Sequence, residues 1–352
     1  FFFIFLLSCT NQDEAMNPFL SEYDTPFEIP PFEIIEFNHY EPAFLVGMEE
    51  HLVEVDNIAK NSSEPTFENT IEALERAGKT LDKVSNVFFN LSSSNTNDDM
   101  DALAESISPK LSAHNDKILL NKSLFLRIES LVKQKQSLNL STEQERLLDE
   151  LYKRFKRSGA NLDDSGMNRL TDINGALSSL SVQFDLNARK ETNSFSMVID
   201  NVEDLDGLPE EEIRQASLLA DSEGHKGKWV FKPTRVSMYP FLTYSTKRDL
   251  REELYKSYIR RGDNDNEFDN KKIIAEMIKL RKEKAALMGF DSHSEYVLDN
   301  TMAKTPENVD KLLQTIWQPG LEKAKGEVQA MQQLITKEGG NFKLAAWDWW
   351  HY

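Results

Sequence analysis

A mainly α fold, a multi-helix array broken by one small β hairpin or sheet, is what this 352-residue sequence predicts. Three observations carry that expectation. Apolar side chains recur at spacings of three and four along most of the chain, helix-starting and helix-stopping residues bracket those runs, and only one short region changes to a period of two.

The elements follow in order. Leu45, Met48, Leu52, Val55 and Ala59 form one apolar face opposite Glu49, Glu50 and Glu54, which predicts an amphipathic helix opened by Pro42. Phe67, Ile71 and Leu74 repeat the pattern until Gly78 stops it, and Leu81, Val84, Phe88 and Leu91 begin the next helix. Thr142 and Glu145 are spaced as a capping box ahead of Leu147, Leu148, Leu151 and Phe155, with Gly159 placed to end that helix. A longer helix follows through Leu170, Ile173, Leu177, Leu180 and Phe184, in too few heptads for a coiled coil. Phe195, Met197 and Ile199, then Trp229 and Phe231, alternate with polar residues as short strands do. Between them Leu208-Pro209 opens a helix carrying Ile213, Ala216 and Ala220. Helical spacing resumes at Leu250, Leu254 and Tyr258, and again from Ile273 to Leu287, closed by Gly289. Ser292 and Glu295 form a second capping box, and Thr305-Pro306 starts a helix whose inward face is Val309, Leu312, Leu313 and Ile316.

Composition narrows the function classes. Asp and Glu number 59 against 41 Lys and Arg, a net charge of −18, and no basic stripe exists of the kind phosphate binding needs, so no nucleic-acid partner is expected. The cluster from Lys153 to Arg157 reads as the solvated face of a helix. The length allows about two domains with a substantial core.

Phe1-Phe2-Phe3-Ile4-Phe5-Leu6-Leu7-Ser8-Cys9 has the pattern of a secretory hydrophobic region running into a lipoprotein processing site, with Cys9 as the lipidation residue and the only cysteine of the chain. A buried strand or a piece of a membrane helix is the alternative. The lipoprotein reading makes residues 1–9 a signal remnant and 10–16 a polar tether, and it leaves the mature chain no disulfide. It predicts a cell-envelope protein anchored to a membrane, the outer one preferred because Thr10 follows the cysteine. Residues 17–190 then form an N-terminal helical domain, 191–240 a small mixed α/β segment, and 241–352 a further helical segment. The closing block Trp347-Asp348-Trp349-Trp350-His351-Tyr352 is expected to find its burial partner in residues beyond the chain.

The search for chemistry leaves no active site visible. His51 and Glu54 stand one helical turn apart and could share a cation, but two ligands on a charged surface are ordinarily solvated. His39 and His114 are read as isolated, His225 as exposed in the Gly224–Gly227 turn, and His293 as local to its capping box. Asp263-Asn264-Asp265-Asn266-Glu267 begins like a calcium loop, yet Phe268 stands where Gly is needed and Ile274 where the bidentate Glu belongs, so a solvated turn explains it better. No nucleophile elbow or phosphate loop occurs. Four glycosylation patterns, at Asn61, Asn90, Asn121 and Asn139, carry no meaning in a bacterial lipoprotein.

Several blocks nevertheless resemble, in order, the thimet-type zinc oligopeptidases. They are Ile29-Pro30-Pro31-Phe32, His39-Tyr40-Glu41-Pro42-Ala43-Phe44, Pro65 through Glu75, Leu280 through Phe290, Met302 through Pro306, and Trp347-Asp348-Trp349-Trp350. The branch most resembled is the bacterial peptidyl-dipeptidases. The resemblance spans residues 17 to 352 and implies a neurolysin-like helical molecule, here incomplete, around a channel that admits short unstructured peptides. In that family a helix bearing H-E-x-x-H supplies two zinc ligands and the general base, a later Glu supplies the third ligand, and zinc lowers the pKa of its bound water toward ~7. That motif is absent from this sequence, so no catalytic or metal residue is assigned to any position, and 241–352 is read as the start of the catalytic domain, ending before the zinc motif. Two function classes follow: a membrane-tethered zinc peptidase that removes C-terminal dipeptides, and a metal-free helical lipoprotein that binds peptides or a partner without hydrolysis.

Overall fold

A computed structural model describes residues 17–352, so Cys9, the signal remnant and the tether lie outside the described residues. The chain divides into two compact units, one ending at Ser179 and the other Leu180–Tyr352. The division lies inside a helix, α7 (Asp164–Ser194).

The first unit is helical throughout its regular structure. It comprises α1 (Tyr40–Ala59), a wide π-type turn (Phe67–Glu72) running into α2 (Ala73–Glu75), α3 (Lys79–Ser94), α4 (Asp98–Leu119), α5 (Lys122–Gln134), α6 (Thr142–Arg157) and the first part of α7. Two cores hold it. One gathers Phe19, Tyr40, Phe44, Val84, Phe88 and Ile107, with Phe44 and Phe88 edge to face at 5.4 Å. Full burial of such a ring contributes on the order of 2 to 3 kcal/mol. Gly47 sets how close α1 and α3 come, because a Cβ there would lie 2.8 Å from the Leu81 backbone nitrogen. The second core joins α1, α5 and α6 through Val55, Ile71, Leu124, Ile128, Leu131, Leu148 and Phe155.

Periodicity did not single out α4 or α5. Asn97 and Asn121 cap them through side-chain oxygens on Met100 N–H and Leu124 N–H. Asn121 thus has a structural role inside its glycosylation pattern. The capping box of α6 is shifted one residue from the expected one: Ser141 accepts from Gln144 N–H and Gln144 accepts from Ser141 N–H, which leaves Thr142 as the first helical residue. The box at Ser292 and Glu295 forms as expected.

The second unit holds the rest of α7 and the small sheet. β1 (Met197–Ile199) and β2 (Trp229–Phe231) pair antiparallel with Met197 opposite Phe231 and Ile199 opposite Trp229. Around them lie α8 (Glu210–Ser222), α9 (Arg235–Tyr244) and α10 (Arg248–Ile259), sharing a core of Met197, Ile199, Phe231, Met238, Phe241 and Leu254. α11 (Lys271–Leu287), α12 (His293–Leu298) and α13 (Pro306–Lys337) follow. All five tryptophans fall in this unit.

α13 departs from expectation. Leu312, Leu313 and Ile316, predicted to face inward, are 62%, 57% and 62% exposed, and Trp317 beside them is 61% exposed. The helix buries only Ile335 among its residues. The spacing that marks an apolar stripe is present, but nothing within the described residues covers it.

Candidate functional site

Three arrangements place titratable or charged side chains together. The first is in the first unit. His51 on α1 and His114 on α4, which sequence spacing leaves apart, are hydrogen-bonded through His51 Nδ1 and His114 Nε2 at 3.1 Å. His114 is therefore not isolated. Burial, then His51 and Lys117, push its pKa down to about 4. His51 is also lowered, by burial, against the opposing pull of Glu54 and Asp82. Glu54 does not complete a cation site with His51, because its carboxylate accepts the Gly78 N–H at 2.7 Å. The pair lines a cavity of about 360 Å³ with Glu75, Asp82 and Arg154. His39, the other histidine read as isolated, accepts the Glu36 N–H on Nδ1 at 3.0 Å.

The second arrangement surrounds the acidic turn. Glu191, 7% exposed, accepts the Gly262 N–H and the side-chain amides of Asn264 and Asn266. Burial pushes this carboxyl up, but those donors outweigh it and hold its pKa below the usual range. Outside this cradle Lys271 Nζ lies 2.8, 2.9 and 2.8 Å from Asp263, Asp265 and Asp269. The turn is solvated, as expected, but also ordered, and its cation is the chain's own ammonium.

The third arrangement is the closing aromatic block, and it corrects in part the expectation that its burial partners lie beyond the chain, since Trp347 and Trp350 find partners within it. Asp348 is fully buried. It accepts from Arg248 Nη2 at 2.9 Å, from Arg251 Nη2 at 2.9 Å and from the Ala345 N–H at 3.0 Å. Arg248 also stands 4.4 Å from the Phe342 ring centroid and 5.3 Å from that of Trp347. Trp350 stacks on Tyr239 at 5.5 Å, and Trp347 packs against the core around Leu254. The partners are residues of α9 and α10, about a hundred positions upstream, where spacing gives no sign of them. Trp349 and Trp350 remain 40% and 38% exposed.

Two of the other resembling blocks, 39–44 and 65–75, also build the fold. Thr66 and Asn69 cap each other, while buried Arg127 donates to Asn61 O, Ser63 O, Asn69 Oδ1 and Thr70 Oγ1. Tyr40, Phe44 and Phe67 are core.

The family's zinc chemistry does not fit these residues. Among the described residues no three His, Cys, Asp or Glu side chains converge to hold a metal ion, and the two imidazoles that meet are bonded to each other. No helix among the described residues is long and apolar enough to cross a membrane. Cys9 lies outside them.

With the helical array and the docked aromatic block in place, a class comes into view: residues 241–352 match the model of peptidase family M3, and the described residues form a mainly α array. Its relatives give the particulars. It is similar to dipeptidyl carboxypeptidase of Escherichia coli, 32% identical over 338 residues that make up 96% of this chain and 50% of the relative. It is similar also to oligopeptidase A of Haemophilus influenzae, 28% identical over 91% of this chain and 47% of that protein, and to the organellar oligopeptidase A of Arabidopsis thaliana, 25% identical over 96% and 43%. The chain spans about half the length of the curated relatives it matches.

Proposed function

We propose that this chain is the N-terminal helical part of an exported zinc metallopeptidase that hydrolyses short unstructured peptides and releases C-terminal dipeptides. The observation that carries the reading is the alignment over 96% of the chain with a dipeptidyl carboxypeptidase of which it covers half. Peptidases of family M3 are zinc-dependent in general, and the H-E-x-x-H motif that the resemblance assigns to zinc does not occur in this sequence. What these residues contribute is helical wall, held by the cores, by Arg127 and by the Asp348 clamp.

The test uses the complete gene product. It should release dipeptides from the C-termini of N-blocked oligopeptides, hold one zinc per polypeptide and lose activity to a chelator, while the 352-residue chain alone does none of these. Single amino acids or internal fragments as products would replace the dipeptidase reading with another cleavage mode. A complete product without zinc or hydrolysis would leave the metal-free peptide-binding lipoprotein.

We further propose that Cys9 carries the lipid and tethers the protein to the cell envelope, on the outer membrane. The support is the apolar run that ends in Ser8-Cys9. Cys9→Ala should move the product from the membrane fraction to the soluble one, and unchanged partitioning would rule the anchor out.

A further inference from the structure

We propose that His51 and His114 form a proton-operated latch that fastens α4 to α1, beside the turn before α3, at neutral pH and opens when the second imidazole is protonated. The geometry is specific. The rings lie 5.0 Å apart, centroid to centroid, and are tilted by 52°. His114 is 4% exposed, and its Nδ1 finds no hydrogen-bond partner among the described residues. His51 is pressed against the turn before α3, where a Cβ on Gly78 would meet its Nδ1 at 2.8 Å.

His114 also lines two cavities. The one of about 360 Å³ includes His51, Glu75, Asp82 and Arg154. The other, of about 510 Å³, includes Glu49, Asp56, Lys110 and Lys117. The charges around the pair are unequal. Glu54 and Asp82 favour a proton on His51, whereas Lys117 and a charged His51 oppose one on His114. The first proton therefore goes to His51. It preserves the latch, because His51 Nδ1–H then donates to the lone pair on His114 Nε2. The second proton leaves N–H groups facing N–H groups and two cations in contact, with Lys117 beside them. No acceptor remains between the rings, and His114 gains by turning out to water.

The size of the effect follows from linkage. A group held near 4 in the latched state and near 6.5 when free favours the open state up to roughly 20-fold more at pH 5 than at pH 7.

Hydrogen–deuterium exchange of the whole chain, corrected for intrinsic rates, tests this. Amides 110–119 of α4 should lose protection by up to that factor between pH 7 and pH 5, while those of α8 change less than twofold. His114→Gln should abolish the step. In proton NMR the His114 ring should titrate below pH 5, after His51. A step that survives in His114→Gln, an equal loss in α8, or a His114 ring titrating near 6.5 would overturn the latch. If His114→Gln does not fold, the two ring titrations decide alone.

Discussion

Replacing Asp348 with Ala strips the negative partner from a site that the structure closes completely. The carboxylate is 0% exposed and Arg251 is 1% exposed, so Ala would leave a buried guanidinium without its counter-charge, and Arg251 Nε already lacks a partner. Breaking a buried pair in this way costs about 3 to 5 kcal/mol. The lost Ala345 N–H bond would be felt within that sum. With a urea slope of about 2 kcal/mol per molar, the unfolding midpoint of the second unit should fall by roughly 2 M. The assay is urea titration of wild type, Asp348→Ala, Arg251→Met and the double variant. Because Arg251 and Asp348 touch at 2.9 Å, the double variant should be more stable than the sum of the singles implies, by about 2 kcal/mol. A loss under about 1 kcal/mol in Asp348→Ala, or strict additivity, would refute the claim that this ion cluster docks the aromatic block.

Other expectations concern the first unit and one control in the second. Arg127→Met removes the donor to two carbonyls and two side chains and should destabilise by about 3 kcal/mol in chemical denaturation. Gly78→Ala and Gly224→Ala share φ of +84°, but only at Gly78 does the new Cβ meet a neighbour within 4 Å. Both should lose about 1 kcal/mol to backbone strain, with Gly78→Ala losing about 1 to 2 kcal/mol more. His114 is depressed from 6.5 to about 4, so the unfolded chain binds more protons between those values and stability falls as pH drops through that window. The difference between wild type and His114→Gln should shrink by about 2 kcal/mol from pH 7 to pH 4.5, read from denaturation at each pH.

Much of the helical plan was legible because it rests on local physics. Gly78, Gly159 and Gly289 end helical runs and take positive φ, and the period-two stretch did become β1 and β2. α4 escaped because its polar and acidic residues dilute the apolar face and Pro109 sits inside it. α5 escaped although its face of Leu124, Phe125, Ile128 and Leu131 is buried as a helix face should be, since it follows α4 after only two intervening residues. The failure at α13 is of another kind, for periodicity says that a stripe is apolar and not what covers it. The His51–His114 bond, the Glu191 cradle and the Asp348 clamp join positions 63 to 100 residues apart. Polar partners at such separations leave no trace in spacing, so only the folded chain brings them together.

The distribution of indoles makes the two units optically unequal. With every tryptophan beyond Leu180, emission excited at the red edge reports the second unit, while the first contributes peptide ellipticity and no indole signal. A denaturation curve read both ways therefore separates the melting of one half from the other without a label. The same asymmetry makes Trp347 a native reporter of whether the aromatic block has docked, since undocking would move its ring from beside Arg248 and Tyr255 into water.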